Sequence, residues 1–440
     1  MKIAMYGSGA AGSVFASYLR NGGADIILID RYEAHMKNVA ENGMSFTVHA
    51  KREGNEEYEK IAAPLLAKGF TVTQSSVDPT YDDIQAVLPG FRTYTSAQSA
   101  FDAEGKVDVI IYMTKATQLV QAVQDSMPVV GDTTVAVSLI NGLGNDDNLF
   151  KFFPKDRCVI GSGVLGTAMP APGSCVSTPA SGVQMNFGGA EKSDLTNAAC
   201  AELLKCYREG GCDAFWRDGD PGTDNNIYKF IWKKVCVNAT VNTVCAVLRL
   251  KIGEVENDPF GQWLFHGVIR ETCAVATAKG VPMDADEFIA HDHWDIVTSV
   301  GDYYPSMAQD MLFNQRQTEI DVLNGKIAEY GEELGIDIYT STPAKHLKTD
   351  GSGRVTGVTR NSLRASTRDS VISSEIGLTI QVEYKVVDNR TGREIASGTA
   401  TGQSSFFNND LGSVQTAEQN AVSYAARQAA DDIVTDLTLP

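Results

Sequence analysis

The chain has 440 residues, a formal net charge of -18 and a pI near 4.8, so it is long enough for two or three domains and carries an acidic surface. That charge excludes nucleic acid and anionic membrane as main partners, and no apolar run approaches the roughly 20 residues a membrane span needs. Eight cysteines without a Cys-x-x-Cys pair read as reduced thiols, which points to the cytoplasm.

Lys2 to Tyr6 is a predicted buried strand, Gly12 to Asn21 a helix and Asp25 to Asp30 a second strand. Between the first two stands Gly7-Ser8-Gly9-Ala10-Ala11-Gly12, in which the glycines permit a tight turn and bring backbone N–H groups to a pyrophosphate at the helix N-terminus. The same glycines interrupt the apolar stretch that a secretory signal requires. Asp30 stands where a carboxylate accepts from an adenosine ribose, which favours NAD, whereas Arg31 could pair with a 2′-phosphate, which favours NADP, or be a solvated loop charge. The segment is half of a dinucleotide-binding α/β domain.

Lys51 to Ala103 is polar and loosely patterned, and Val107 to Met113 and Thr133 to Ile140 are apolar runs suited to parallel strands buried on both faces, with Ala116 to Ser126 helical between them. Gly- and Pro-rich segments from Gly161 to Gly189 suggest further strands and turns. Asp218 to Asn226 is the clearest linker signal, which predicts a dinucleotide-binding domain at 1–217 and a second domain at 222–345.

Ile227 to Gly335 has helical periodicity, broken at Asp258-Pro259, Gly280 to Pro282 and Tyr304-Pro305. Lys234, Asn238 and Asn242 fall at i, i+4 and i+8 on one predicted helix face; standing alone, such a stripe is more often a solvated face than a site. A later helix carries Ser306, and Glu319 by itself reads as a surface helix acid. His291 and His293 form His-x-His, which could ligate a metal if a third ligand converged but is more often a surface pair, and no metal is expected. Beyond these, Gly377 to Val386 is a predicted strand, Asp388 to Gly392 a turn, Glu394 to Ser404 a returning strand and Val414 to Leu437 a helix, which makes 346–440 a small αβ appendage of unknown role.

Taken together, six ordered motifs resemble the ketopantoate reductase family, the 2-dehydropantoate 2-reductases, over about residues 1 to 345. They are Gly7 to Gly12, Ile29-Asp30-Arg31, Thr114-Lys115, Asn141-Gly142-Leu143-Gly144, the run from Trp232 through Lys234 and Asn238 to Asn242, and Thr318-Glu319-Ile320-Asp321. The resemblance implies an α/β Rossmann domain followed by an all-α domain like the C-terminal domain of 6-phosphogluconate dehydrogenase. It also implies a cytoplasmic enzyme that reduces the 2-keto acid ketopantoate to pantoate with NADP(H), for pantothenate and coenzyme A biosynthesis; Asp30 leaves NAD(H) open. Carried over residue by residue, Lys234 is the general acid, Asn238 and Asn242 position the substrate, and Ser306 helps hold its carboxylate. Glu319 contacts cofactor and active site; Arg31, Lys115 and Asn141 line the cofactor, with Asn141 touching both ligands. A homodimer is compatible with this, although the sequence carries no signal for the oligomeric state.

Three departures stand out: the long Lys51 to Ala103 stretch, a Ser306 to Glu319 spacing one residue off the usual form, and a tail of about ninety residues. In the tail, Thr342 to Val358 resembles a strand-turn-strand piece of flavin-dependent fumarate reductases, and Ile380 to Leu437 resembles envelope lipopolysaccharide-assembly lipoproteins. Two other readings stay open. One is a related reductase of another 2-keto acid, and the other is a non-catalytic NAD(P)-binding protein whose appendage engages a partner.

Overall fold

The computed structural model describes residues 1–52, 58–179, 185–314, 318–336, 344–349, 355–359, 375–387 and 394–407. They belong to two compact units, one of Met1–Asn257 with Gln262–Ile336 and one of Asp258–Gly261 with Asp337–Pro440.

The first unit is built on an eight-stranded sheet. Its order is Ala214–Trp216, Met185–Gly189, Cys158–Gly163, Val130–Ser138, Val107–Tyr112, Lys2–Tyr6, Asp25–Ile29 and Arg92–Tyr94, with all neighbours parallel except Met185–Gly189 against Cys158–Gly163. Its strands are apolar on both faces because both are covered: Ile3, Met5, Ile26, Leu28, Val109 and Ile111 join one core cluster, while Ala4, Ile27, Ile29, Ile110 and Tyr112 join another. The first strand lies between the second and Val107–Tyr112, with Tyr6 in register with Ile29 and Tyr112. The chain therefore leaves the sheet at Gly7 where neighbouring connections diverge, the place where open α/β sheets bind ligands.

The stretch expected to be loosely patterned holds more structure than that. Met44–Lys51, Thr71–Gln74 and Tyr81–Leu88 join Leu165–Ala168 and Ser174–Pro179 in a second sheet of five strands. Met44, Phe46, Val48 and Ala50 are buried while the residues between them turn outward, the alternation of a sheet covered on one face.

Asp218 to Asn226, read as a linker, is a closed loop. Gly219 N–H donates to Asn225 O at 3.0 Å, and the Asn226 side chain accepts from Tyr228 N–H at 2.9 Å to cap the following helix. Helices then follow, with breaks where the Gly and Pro signals fall: Pro259–Ala278 starts at a proline, Gly280 has φ +85°, and Pro305 precedes Ser306–Gln309. Among the described residues, three π turns interrupt them, at Asn238–Asn242, Ile289–His293 and Asp310–Asn314.

In the second unit Ala344–Thr349 pairs antiparallel with Val355–Thr359, and Glu375–Val387 with Glu394–Phe407. The expected turn at Asp388 to Gly392 and helix at Val414 to Leu437 lie outside the described residues. No described helix is long and apolar enough to cross a membrane, and all eight cysteines are buried free thiols.

Candidate active site

The helix opened by the glycine motif spans Ala10–Asn21, starting two residues before the predicted Gly12. Gly7 has φ +97°, and a Cβ there would stand 2.8 Å from Met113 O. A Cβ on Gly12 would come within 1.9 Å of Gly7 O, so only glycine lets the helix pack on the turn. Gly9 is different: a Cβ there would meet nothing within 4 Å, so the chain's own packing does not demand a glycine, and the space above it is open to a ligand. The helix N-terminus has no side-chain cap and no acid in its first turn, which leaves its N–H groups and positive dipole end available to a pyrophosphate. These residues fit a dinucleotide.

Behind the turn lies a buried network absent from the sequence reading. Asp30 accepts from Ser8 N–H at 2.6 Å and Tyr32 N–H at 2.9 Å. Gly173 N–H donates to His35 Nδ1 at 2.8 Å, which assigns the His35 proton to Nε2, 3.1 Å from Ser13 Oγ; Ser13 Oγ in turn donates to Ser8 O at 2.9 Å. Burial lowers the His35 pKa, with Asp30 opposing, so the ring is held neutral. His35 thus ties the five-stranded sheet to the fingerprint turn.

On the same strand-end side, Lys234 Nζ donates to Asn141 Oδ1 at 2.8 Å, Ser162 Oγ at 2.6 Å and Gly163 O at 2.5 Å. Ser162 Oγ donates to Asn141 Oδ1 at 3.0 Å. All three ammonium protons therefore have acceptors. Desolvation lowers the Lys234 pKa to about 8, while the charge of Glu319 raises it. A slot of about 10 Å³, room for one water at most, is lined by Lys234, Asn238, Ser162 and Gly142. The cradle is close to the cofactor turn, since a Cβ on Gly163 would meet the ring of Phe15, on the Ala10–Asn21 helix, at 2.4 Å.

Two family models match most of this unit: one described as ketopantoate reductase PanE/ApbA over residues 3–191, and one described as its C-terminal part over residues 226–343. The chain belongs to the ketopantoate reductase family. It is accordingly an NAD(P)H-dependent 2-keto acid oxidoreductase. The 2-dehydropantoate 2-reductase of Streptococcus pyogenes serotype M3 is 29% identical over 338 residues, covering 77% of this chain and 93% of that protein. That of Lactococcus lactis is 29% identical over 339 residues, covering 76% and 93%. The solved structure of D-mandelate dehydrogenase with NADH and anilino(oxo)acetate is 28% identical with a TM-score of 0.57, covering 77% of this chain and 93% of that one. A further model, described as lipopolysaccharide-assembly, matches residues 303–437, which takes in the appendage.

Among the residues that the ketopantoate reductase motifs single out, the structure brings Lys234 to Asn141 and Asn242 to Ser306, the latter with Asn242 Nδ2 3.3 Å from Ser306 Oγ. It departs from a straight Lys-Asn-Asn helix face, because Asn238–Asn242 is a π turn, whose wider hydrogen bonding shifts the side-chain phase. Asn324 braces that turn: its Nδ2 donates to Ala239 O at 3.0 Å, and its Oδ1 accepts from Thr243 Oγ1 at 2.7 Å. Glu319 is exposed as expected, but it precedes the Ile320–Val322 turn and is not on a helix. Leu143 N–H donates to Val322 O at 2.8 Å, so this segment clasps the Asn141 loop. Arg31 and Lys115 are exposed at the ends of their strands. His291 is exposed as expected; His293 is buried, because residues two apart on a helical segment point to opposite sides, and the surface-pair reading is corrected for it.

Proposed function

We propose that the chain reduces 2-dehydropantoate to pantoate, with residues 1–217 as the dinucleotide-binding part, 222–345 as the substrate-binding part and Lys234 as the general acid. The observation that carries this reading is the enclosed Lys234 ammonium, held by Asn141, Ser162 and Gly163 beside the fingerprint helix. When bound, the dihydronicotinamide supplies the hydride that reduces a 2-keto group. Lys234 would exchange one of its three acceptors for the substrate's carbonyl oxygen, stabilise the charge that develops there and donate the proton. Its pKa of about 8 leaves it mostly protonated at neutral pH and still able to release the proton. Asn238, Asn242 and Ser306 would orient the substrate's polar groups and carboxylate, and Asn141 and Glu319 would border both ligands.

For the cofactor, NADP(H) is the better fit. Both Asp30 oxygens already accept backbone N–H groups, while Arg31 is exposed and makes no hydrogen bond or ion pair among the described residues. A second reading, reduction of a bulkier 2-keto acid, is favoured by the likeness to D-mandelate dehydrogenase. Oxidation of NADPH and NADH followed at 340 nm against ketopantoate and a panel of aliphatic and aromatic 2-keto acids separates them. Highest kcat/KM with ketopantoate and NADPH is expected; turnover confined to aromatic keto acids would establish the second reading, and no turnover despite cofactor binding would overturn both.

A further inference from the structure

We propose that Glu256, His266 and His293 form a binding site for one divalent transition-metal ion of the Zn²⁺ class, independent of the Lys234 site. The three residues come from separate elements: Glu256 ends the helix Ile252–Glu256, His266 lies in Pro259–Ala278, and His293 ends the π turn Ile289–His293. Their ligand atoms all lie within 4.8 Å of one another.

His293 Nε2 is 3.0 Å from Glu256 Oε2. Two ligands on a tetrahedral zinc with bonds of about 2.0–2.1 Å stand about 3.3 Å apart, so this pair needs little movement to share an ion. Two imidazoles and a carboxylate form a donor set suited to Zn²⁺, whereas Mg²⁺ and Ca²⁺ prefer oxygen alone. The other carboxylate oxygen, Glu256 Oε1, accepts from Gln262 Nε2 at 3.1 Å, an outer contact that fixes the carboxylate's orientation. Phe265 packs edge-on against the His293 ring, with the ring centres 5.1 Å apart.

A plain Glu–His hydrogen bond accounts for Glu256 and His293. It does not account for the second imidazole, His266, whose ring centre is 6.1 Å from that of His293 and whose ligand atom converges on the same point. His293 is 2% exposed and His266 half-buried, so an ion would be largely enclosed yet reachable from solvent. His293 lies at the end of a π turn, and π turns concentrate at functional sites. Bound there, the ion would cross-link three helical segments.

The test uses the full-length chain without a histidine tag, stripped with chelator and titrated with Co²⁺ as a spectroscopic probe, then with Zn²⁺. One Co²⁺ per chain with visible d–d bands is expected, displaced by Zn²⁺, without thiolate charge-transfer intensity and with a rise in Tm. His266→Ala and the size-preserving His266→Gln, each checked for folding by circular dichroism, should weaken binding by about 10-fold or more, and His291→Ala should leave it unchanged. Absence of saturable binding, a thiolate band, binding that survives in a folded His266 variant, or binding lost in His291→Ala would each overturn the site.

Discussion

At the fingerprint the backbone does the binding, and the groups that meet the cofactor's pyrophosphate lie between Gly7 and Gly12. At Lys234 a side chain is held by two side chains and one backbone carbonyl, and the three acceptors come from residues 71, 72 and 93 positions away. The first arrangement is dictated by local sterics, since glycine alone avoids the Gly12 contact with Gly7 O. The second exists only once two parallel strands end beside a helix from later in the chain. Substitutions in the two regions should therefore fail differently, one in cofactor affinity and the other in turnover.

The largest effect is expected from Lys234→Ala, which should lower kcat by roughly 10²-fold or more with cofactor affinity retained, measured by steady-state kinetics beside a fluorescence titration with NADPH. Loss of both together would erase the distinction between the regions. Gly12→Ala should do the reverse, weakening cofactor binding and costing about 1–3 kcal/mol in stability through overpacking, read from the same titration and a denaturant melt. His35→Leu should act in the same direction by stranding the buried Gly173 N–H; about 1–3 kcal/mol of stability is the expected loss, and an unchanged melt would show that the network does not brace the turn. Glu319→Gln should give the smallest change, a shift without collapse. The glutamate's charge raises the Lys234 pKa, so removing it should start the alkaline decline of activity at lower pH.

The contrast also explains what could be read from the sequence. The central strands Lys2–Tyr6, Asp25–Ile29 and Val107–Tyr112 stand out because burial on both faces makes them continuous apolar runs, and the helix breaks stand out because Gly and Pro mark them. Two strands of the five-stranded sheet were hidden within Lys51 to Ala103, because Thr71–Gln74 is exposed throughout and Asp82, Asp83 and Gln85 make Tyr81–Leu88 look merely polar. The π turns leave no trace in a 3.6-residue period, so the phase at Asn242 could not be anticipated. Lys234 itself was legible through family motifs, but Ser162 and His35 were not. Ser162 is 72 residues from Lys234, and His35 takes its hydrogen bond from Gly173, 138 residues away, so only the fold makes either of them part of the site.

The most direct test of the account is the pH dependence of kcat/KM for ketopantoate with NADPH, which reports ionisations of the free enzyme. If the proton comes from Lys234, the protonated form is the active one. The profile should then be level through neutral pH and fall about tenfold per pH unit above the Lys234 pKa of about 8. A profile that stays level to pH 10, or that rises through pH 8, would contradict Lys234 as the proton donor.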